Sequence, residues 1–238
     1  GGEFAYGNRE FYQRHLVNLN DIHQTENHHV PYRADLGAYL EVQERGGIEA
    51  LEFRAQTRRQ PINDEIEVEF CSMSLNFKDV LKVFGRLTAQ SLEGTFIGKG
   101  VGMEGTGRVI RKGPDSNLNI GEEVICIVRG GCFSRFATFA PKDALIARCE
   151  HLNLPPASKA TIGISYGTAH YCLKHAGRLR ENETVLLHSA TGGVGQAAIQ
   201  VARSIGAKII ATAGTPKKRD YLRELGLDHV FDSRCLDF

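Results

Sequence analysis

The run Ala190-Thr191-Gly192-Gly193-Val194-Gly195 has residue types and spacing that suit one chemistry, the cradling of a dinucleotide pyrophosphate. Ala190, Gly192 and Gly195 stand at the three small positions of an A-x-G-x-x-G fingerprint. The first permits a tight turn, the second lets backbone approach the phosphates, and the third lets a helix pack closely on the preceding strand. A pyrophosphate held there would lie on the leading N–H groups of that helix, where the helix dipole favours negative charge.

The flanking residues supply the elements that such a cradle needs. Val185 to Leu187 predict a strand buried on both faces. Val194, Ala197, Ala198, Val201, Ala202 and Ile205 recur at helical spacing, with Gly206 as the residue just past the helix. Lys208 to Ala213 read as the next strand, where a site for NAD would place an Asp or Glu near the end to hold the ribose 2'-hydroxyl. The chain instead continues Gly214-Thr215-Pro216-Lys217-Lys218-Arg219, with Thr215 as N-cap and Pro216 opening a helix that runs to about Leu225. Three cations in a first turn oppose the helix dipole. An anion is therefore expected beside them, the 2'-phosphate of NADPH held by Lys218 with Thr215 and Lys217, the alternative being a solvated basic face. His229 to Asp232 predict a third strand. A complete doubly wound sheet has about six strands, so the chain reads as a segment of something longer.

Composition narrows the class. The 238 residues include 29 basic and 28 acidic side chains, for a net charge of +1, and are 42% hydrophobic. That balance gives no reason to expect a nucleic acid or an anionic membrane as partner. With neither a membrane-length apolar run nor a signal peptide, a cytoplasmic location is expected. Six cysteines without a C-x-x-C pair are read as buried, reduced thiols.

Three regions are expected. Residues 1–33 are polar and irregular, a linker in which His23, His28 and His29 fit no regular metal-ligand spacing. Residues 34–150 carry short strand-like runs, among them Glu65 to Phe70, whose alternation of apolar and acidic residues marks a half-buried strand. Gly100 to Arg111, Glu122 to Val128 and Phe133 to Ala140 repeat the theme. Residues 151–238 hold a helical stretch ending near Gly177 and then the α/β unit. Gly163-Ile-Ser165-Tyr-Gly167 satisfies the G-x-S-x-G of a hydrolase nucleophile elbow, but the elbow needs a strand before the serine, and the preceding segment is proline-broken and helix-like.

Val185 to Gly195, Ala211 to Arg219 and Asp232-Ser-Arg234, together with Ser74-Leu-Asn-Phe-Lys-Asp-Val80 and Gly102-Met-Glu-Gly-Thr-Gly107, resemble the zinc-free branch of the medium-chain dehydrogenase/reductase superfamily. Within it they look closest to enoyl reductase domains of modular polyketide synthases and animal-type fatty acid synthases. The resemblance implies an α/β fold in which a GroES-like β-rich substrate domain precedes the first half of a doubly wound Rossmann domain for NADPH. It also implies that residues 1–33 link to a preceding synthase domain. Zinc-dependent relatives place a ligating Cys where this chain has Asn76 and a ligating His where it has Met103, so no metal is expected.

The resemblance carries over Asn76 to the nicotinamide and substrate, Thr168 to the carboxamide, and Ser233 with Arg234 to the adenosine side, which join Ala190, Thr191, Gly192, Gly193, Val194, Gly195, Thr215 and Lys218 as the expected cofactor residues. Leu87 stands where many polyketide enoyl reductases have a Tyr proton donor, which puts the stereochemistry of α-protonation in doubt. The Lys and Asp proposed as donors in such domains would lie past Phe238. The implied reaction is NADPH-dependent reduction of an α,β-unsaturated thioester on an acyl carrier protein. Its partners would be the other domains of the same synthase, in a homodimer formed through the parent chain. A stand-alone NADPH quinone reductase and an inactive structural remnant are the alternatives.

Overall fold

The computed structural model describes residues 4–7, 10–13, 36–42, 47–96, 98 and 100–235. The chain divides into two units, Gly1–Ala160 and Thr161–Phe238.

In the first unit β1 (Phe4–Gly7) and β2 (Glu10–Gln13) pair antiparallel, within a stretch expected to be irregular. The aromatic residues of F-A-Y-G and E-F-Y-Q favour strands over the coil that their polar neighbours suggest. The triad His23, His28 and His29 lies outside the described residues. β3 (Leu36–Val42) and β4 (Leu51–Thr57) form a second antiparallel pair. β5 (Ile66–Ser74) is followed by the short helices α1 (Phe77–Val83) and α2 (Ala89–Leu92). Then come β6 (Glu104–Lys112), β7 (Glu123–Val128), β8 (Phe136–Phe139) and β9 (Ala144–Arg148), and these join β5 in an antiparallel sheet of order β8-β5-β6-β7-β9. α3 (Pro156–Lys159) closes the unit, its Lys159 Nζ bonding Glu123 at 2.6 Å. Ile66, Val68, Phe70, Val109, Val124 and Phe139 form the core.

One acidic residue departs from the alternation. Glu67, on the face of β5 expected to meet water, is 1% exposed. β6 and β8 flank β5 on both sides, and two arginines cover the carboxylate. Arg58 bonds both oxygens at 2.9 and 2.7 Å, and Arg111 also bonds both. A buried carboxylate is tolerated only with such pairing. Burial alone would push its pKa up, but the hydrogen bonds and charges of Arg58 and Arg111 outweigh that and hold it below the ordinary glutamate value. The cysteines also depart from expectation. Cys126, Cys132 and Cys149 are buried, and burial pushes the Cys132 thiol up to about 12, whereas Cys71 and Cys172 are exposed. Cys71 sits where the β5–β6 register slips between Phe70 and Ser72, which fits an extra residue bulging from the ladder.

The second unit begins with α4 (Ile162–His170), which widens into a π-helical turn over Tyr171–Ala176. β10 (Thr184–Leu187), α5 (Gly193–Ile205), β11 (Lys208–Ala213), α6 (Pro216–Glu224) and β12 (His229–Asp232) then alternate. The strands are parallel, in the order β10-β11-β12. Ala197, Ala198, Ala202, Ala211, Ala213 and Leu222 make a core of mostly small side chains, which lets helix and sheet approach closely. Gly206 ends α5 in the left-handed conformation at φ 81°. β10 is less buried than its apolar run predicts: Leu187 is buried but Leu186 is 43% exposed. The strand is an edge among the described residues, paired on one side only.

Candidate dinucleotide site

The cradle is built at the C-terminal end of β10. Ala190 is fully buried, and its N–H donates to the Thr212 carbonyl at 3.1 Å, pinning the turn to β11. Gly192 N–H donates to Ser189 O at 2.9 Å and closes the turn. A Cβ on Gly195 would lie 2.6 Å from Ser189 O and 2.7 Å from both Ala190 C and Cα, all backbone atoms, so only glycine lets α5 start this close to the strand. Gly192 is the N-cap, in extended conformation. The first helical bond runs from Gln196 N–H to Gly192 O at 2.8 Å. The amides of Gly193, Val194 and Gly195 therefore precede the ladder, the arrangement that receives phosphate at a helix N-terminus. Gly192, Gly193 and Val194 are exposed, and Thr191 is half-buried.

A second corner forms where β11 and β12 end. Thr215 caps α6, its Oγ1 accepting from Lys218 N–H at 3.4 Å. The Cβ position of Gly214 lies 3.2 Å from Arg234 Nε and 3.5 Å from Ser233 Oγ, so the loop after β12 meets the loop after β11. The basic run divides there. Arg219 turns into the fold, bonding Ala213 O at 3.1 Å and Asp232 at 2.9 Å, while Lys217 and Lys218 are exposed. The other Asp232 oxygen accepts from Arg234 N–H at 2.9 Å. No carboxylate stands at the end of β11.

The remaining sequence candidates fall in separate units. Asn76 caps α1 in the first unit, where its Nδ2 donates to Ser74 Oγ at 3.0 Å and to the buried Glu104 at 3.1 Å. Ser74 donates to the same Glu104 oxygen at 2.7 Å. The carboxylate of Asp79 accepts from Asn76 N–H at 3.0 Å and Gly102 N–H at 2.9 Å, tying α1 to the loop that leads into β6. Burial pushes the Asp79 carboxyl up in spite of those bonds. Leu87 is half-buried beyond α1, and Thr168 is exposed on α4 of the second unit.

An amide already engaged with Ser74 and Glu104 does not make a zinc donor set, and among the described residues no group of three or more His, Cys, Asp or Glu is arranged to hold a metal. Ser165 lies inside α4 with no strand before it, so it is not a nucleophile elbow. No helix among the described residues is long and apolar enough to cross a membrane.

Two residues near the cradle escaped the sequence reading. Gln196 Nε2 donates to Thr191 O at 3.0 Å, and Tyr221 OH, from α6, donates to Gln196 Oε1 at 3.1 Å. Neither residue type signals such a role, and their contact spans 25 positions.

Comparison with known proteins agrees with this geometry. Residues 193–238 match the zinc-binding dehydrogenase family model. Over 237 residues the chain is 39% identical to a mycocerosic acid synthase-like polyketide synthase of Mycobacterium tuberculosis, covering 99% of this chain and 11% of that protein. Among solved structures, the CurK enoyl reductase superposes with a TM-score of 0.75 at 33% identity, over 84% of this chain and 61% of that one. A quinone oxidoreductase of Pseudomonas syringae pv. Tomato DC3000 gives 0.70 at 25% identity, over 82% of this chain and 58% of its own. The chain thus spans about a ninth of the curated synthase and about three fifths of the solved structures.

Proposed function

Because the chain belongs to the medium-chain dehydrogenase/reductase superfamily, on its polyketide synthase enoyl reductase branch, we propose that it serves NADPH-dependent reduction of a carrier-bound enoyl thioester. The fold is that of the branch, α/β, with a curled GroES-like β unit followed by the first half of a Rossmann sheet. Family and fold imply a nicotinamide cofactor, and the cradle at Gly195, which a Cβ would fill, fits its pyrophosphate.

The observation that carries the choice of NADPH is the corner around Gly214. Arg234 and Ser233 approach Gly214, Lys217 and Lys218 stand exposed in the first turn of the helix that Thr215 caps, and Asp232 is already engaged by Arg219 and the Arg234 amide. A ribose 2'-hydroxyl would call for an acceptor at that point, and a 2'-phosphate for donors and positive charge. In this reading the amides of Gly193 to Gly195 bind the pyrophosphate, and Thr215, Lys218, Ser233 and Arg234 bind the 2'-phosphate. NADPH tighter than NADH is the expected result of parallel titrations, and equal affinity would sink the assignment. Lys218→Ala and Arg234→Ala should each weaken NADPH by roughly tenfold, the size of one charge-assisted hydrogen bond, and leave NADH unchanged.

The bound cofactor would supply hydride to the β-carbon of the thioester, and a proton must reach the α-carbon. The chain's share is orientation and exclusion of water. Asn76 and Leu87, in the first unit, are the proposed substrate-side residues, and Thr168, in the second, is the one proposed for the nicotinamide carboxamide. Asn76 would be held in a fixed orientation there by the bonds from its Nδ2 to Ser74 and Glu104. No step is assigned to zinc.

The substrate is tested by offering the protein NADPH with a crotonyl thioester and, separately, with a quinone. Faster oxidation by the thioester is expected. Faster oxidation by the quinone would favour the second reading, a zinc-independent quinone reductase, which the similarity to the Pseudomonas enzyme keeps in view. NADPH binding without turnover of either would point to a structural role.

A further inference from the structure

We propose that Gln196 and Tyr221 brace the pyrophosphate turn and tie it to the helix that carries Lys217 and Lys218, making both residues positioning groups for the cofactor. The inference rests on the reading of the turn as a dinucleotide cradle.

The chemistry of the three partners fixes the arrangement. Thr191 O is a carbonyl and only accepts, so the Gln196 atom facing it at 3.0 Å must be the NH2 group. The other end of that amide is then its oxygen, and the Tyr221 phenol donates to it at 3.1 Å. A flipped amide would set oxygen against oxygen at Thr191 and leave the phenol facing an NH2. The Thr191 carbonyl thus selects the orientation of Gln196 that can hold the turn, and the Tyr221 hydroxyl adds a second bond to the amide so oriented.

What it holds is a single peptide unit. The carbonyl of the Thr191–Gly192 peptide accepts from Gln196, and its N–H donates to Ser189 O at 2.9 Å. Both ends are tied. Were this peptide to rotate, a lone-pair-bearing carbonyl would be released into a turn whose use is to present N–H groups to an anion. The neighbouring amides of Gly193 and Val194, exposed at the start of α5, depend on it for their direction. Preorganised donors bind an anion more tightly than mobile ones because the ordering is complete before the ligand arrives.

The second consequence is a link between two subsites. Tyr221 lies on α6, six residues after its N-cap Thr215, and Lys217 and Lys218 lie in the first turn of that helix. A shift of α6 reaches the pyrophosphate turn through one phenol and one amide.

Two fragments separate the subsites experimentally. ADP-ribose carries the pyrophosphate without a 2'-phosphate, and 2'-AMP carries the 2'-phosphate without a pyrophosphate. Gln196→Met keeps length and volume and removes both polar ends. By calorimetry it should weaken ADP-ribose and NADPH about five- to tenfold, the range of one to two neutral hydrogen bonds, while 2'-AMP stays within about twofold, the scatter expected where no contact is lost. Tyr221→Phe, at a side chain open to solvent, removes only the hydroxyl and should show the same pattern at smaller size. Unchanged ADP-ribose affinity in both variants would overturn the proposal, and so would equal weakening of all three ligands, which marks general loosening of the unit. If the unmodified protein bound ADP-ribose but not 2'-AMP, the NADPH assignment would fail while the brace was still read on ADP-ribose. If it bound neither, both would fall.

Discussion

Gly195→Val is expected to raise the dissociation constant for NADPH by about 100-fold or more, the equivalent of roughly 2.8 kcal/mol. The three atoms that its Cβ would strike, Ser189 O at 2.6 Å and Ala190 C and Cα at 2.7 Å, belong to the turn itself and cannot rotate aside as a side chain would. Either the turn opens or α5 moves off the sheet. Overpacking of this kind costs about 1–3 kcal/mol in stability, and here the displaced atoms belong to the turn that aims the ligand-facing amides. Gly193 supplies the internal control. Its Cβ would come 3.2 Å from Ser165 Oγ, a small side chain that can turn away, so Gly193→Ala should cost far less binding than Gly195→Ala. Calorimetry paired with thermal melting would check this, and retained affinity in Gly195→Val would refute the packing argument.

Glu67→Ala is expected to destabilise the first unit by about 3 kcal/mol, the lower end of what breaking a buried ion pair costs when one partner is stranded. The lower end applies because the Arg58 and Arg111 side chains remain 17% and 26% exposed and can recover some hydration, whereas Glu67 is 1% exposed. The pH dependence follows from the direction of its pKa. The Glu67 carboxyl titrates lower folded than unfolded, so its contribution is complete above the ordinary glutamate value of about 4.3 and is lost as pH falls through the lowered folded value. Urea unfolding between pH 3 and 7 should therefore show acid destabilisation in the native protein and a flatter profile in Glu67→Gln. Glu65 will contribute in the same window: the Arg59 hydrogen bond leads in lowering its pKa to about 2, but the Arg59 side chain is 53% exposed and the effect is screened. An Ala variant with an unchanged unfolding midpoint would show that the cluster adds nothing.

Much of the second unit was legible because its signals are local. The small residues at Ala190, Gly192 and Gly195, the cap at Thr215 followed by Pro216, and Gly206 past the last helical turn each act within a few positions, and the strand and helix limits followed from them. What the sequence concealed was long-range. Glu67 looked like a solvent-facing member of an alternating strand because its partners arrive from nine residues before and 44 after. Leu186 looked like a core residue because periodicity reports hydrophobicity and not which neighbours a strand acquires. The basic run 217–219 looked uniform, yet Arg219 alone is drawn inward, by an Asp232 that pairing of β11 with β12 sets opposite Ala213. Gln196 carried no signal at all, since a glutamine in a first helical turn is ordinarily a solvated helix former.

The division of that basic run has a kinetic side. With Arg219 neutralised by Asp232, Lys217 and Lys218 remain exposed in the first turn of α6 and Arg234 lies beside the preceding loop. Charges so placed act on a multiply anionic molecule before contact, raising its local concentration and the rate of productive encounter. That attraction fades beyond about 10 Å at 0.1 M salt, whereas backbone amides in a fixed turn act only at hydrogen-bond range. Ionic strength should then govern how quickly an anion arrives at this corner, and the geometry of the glycine turn how long it stays.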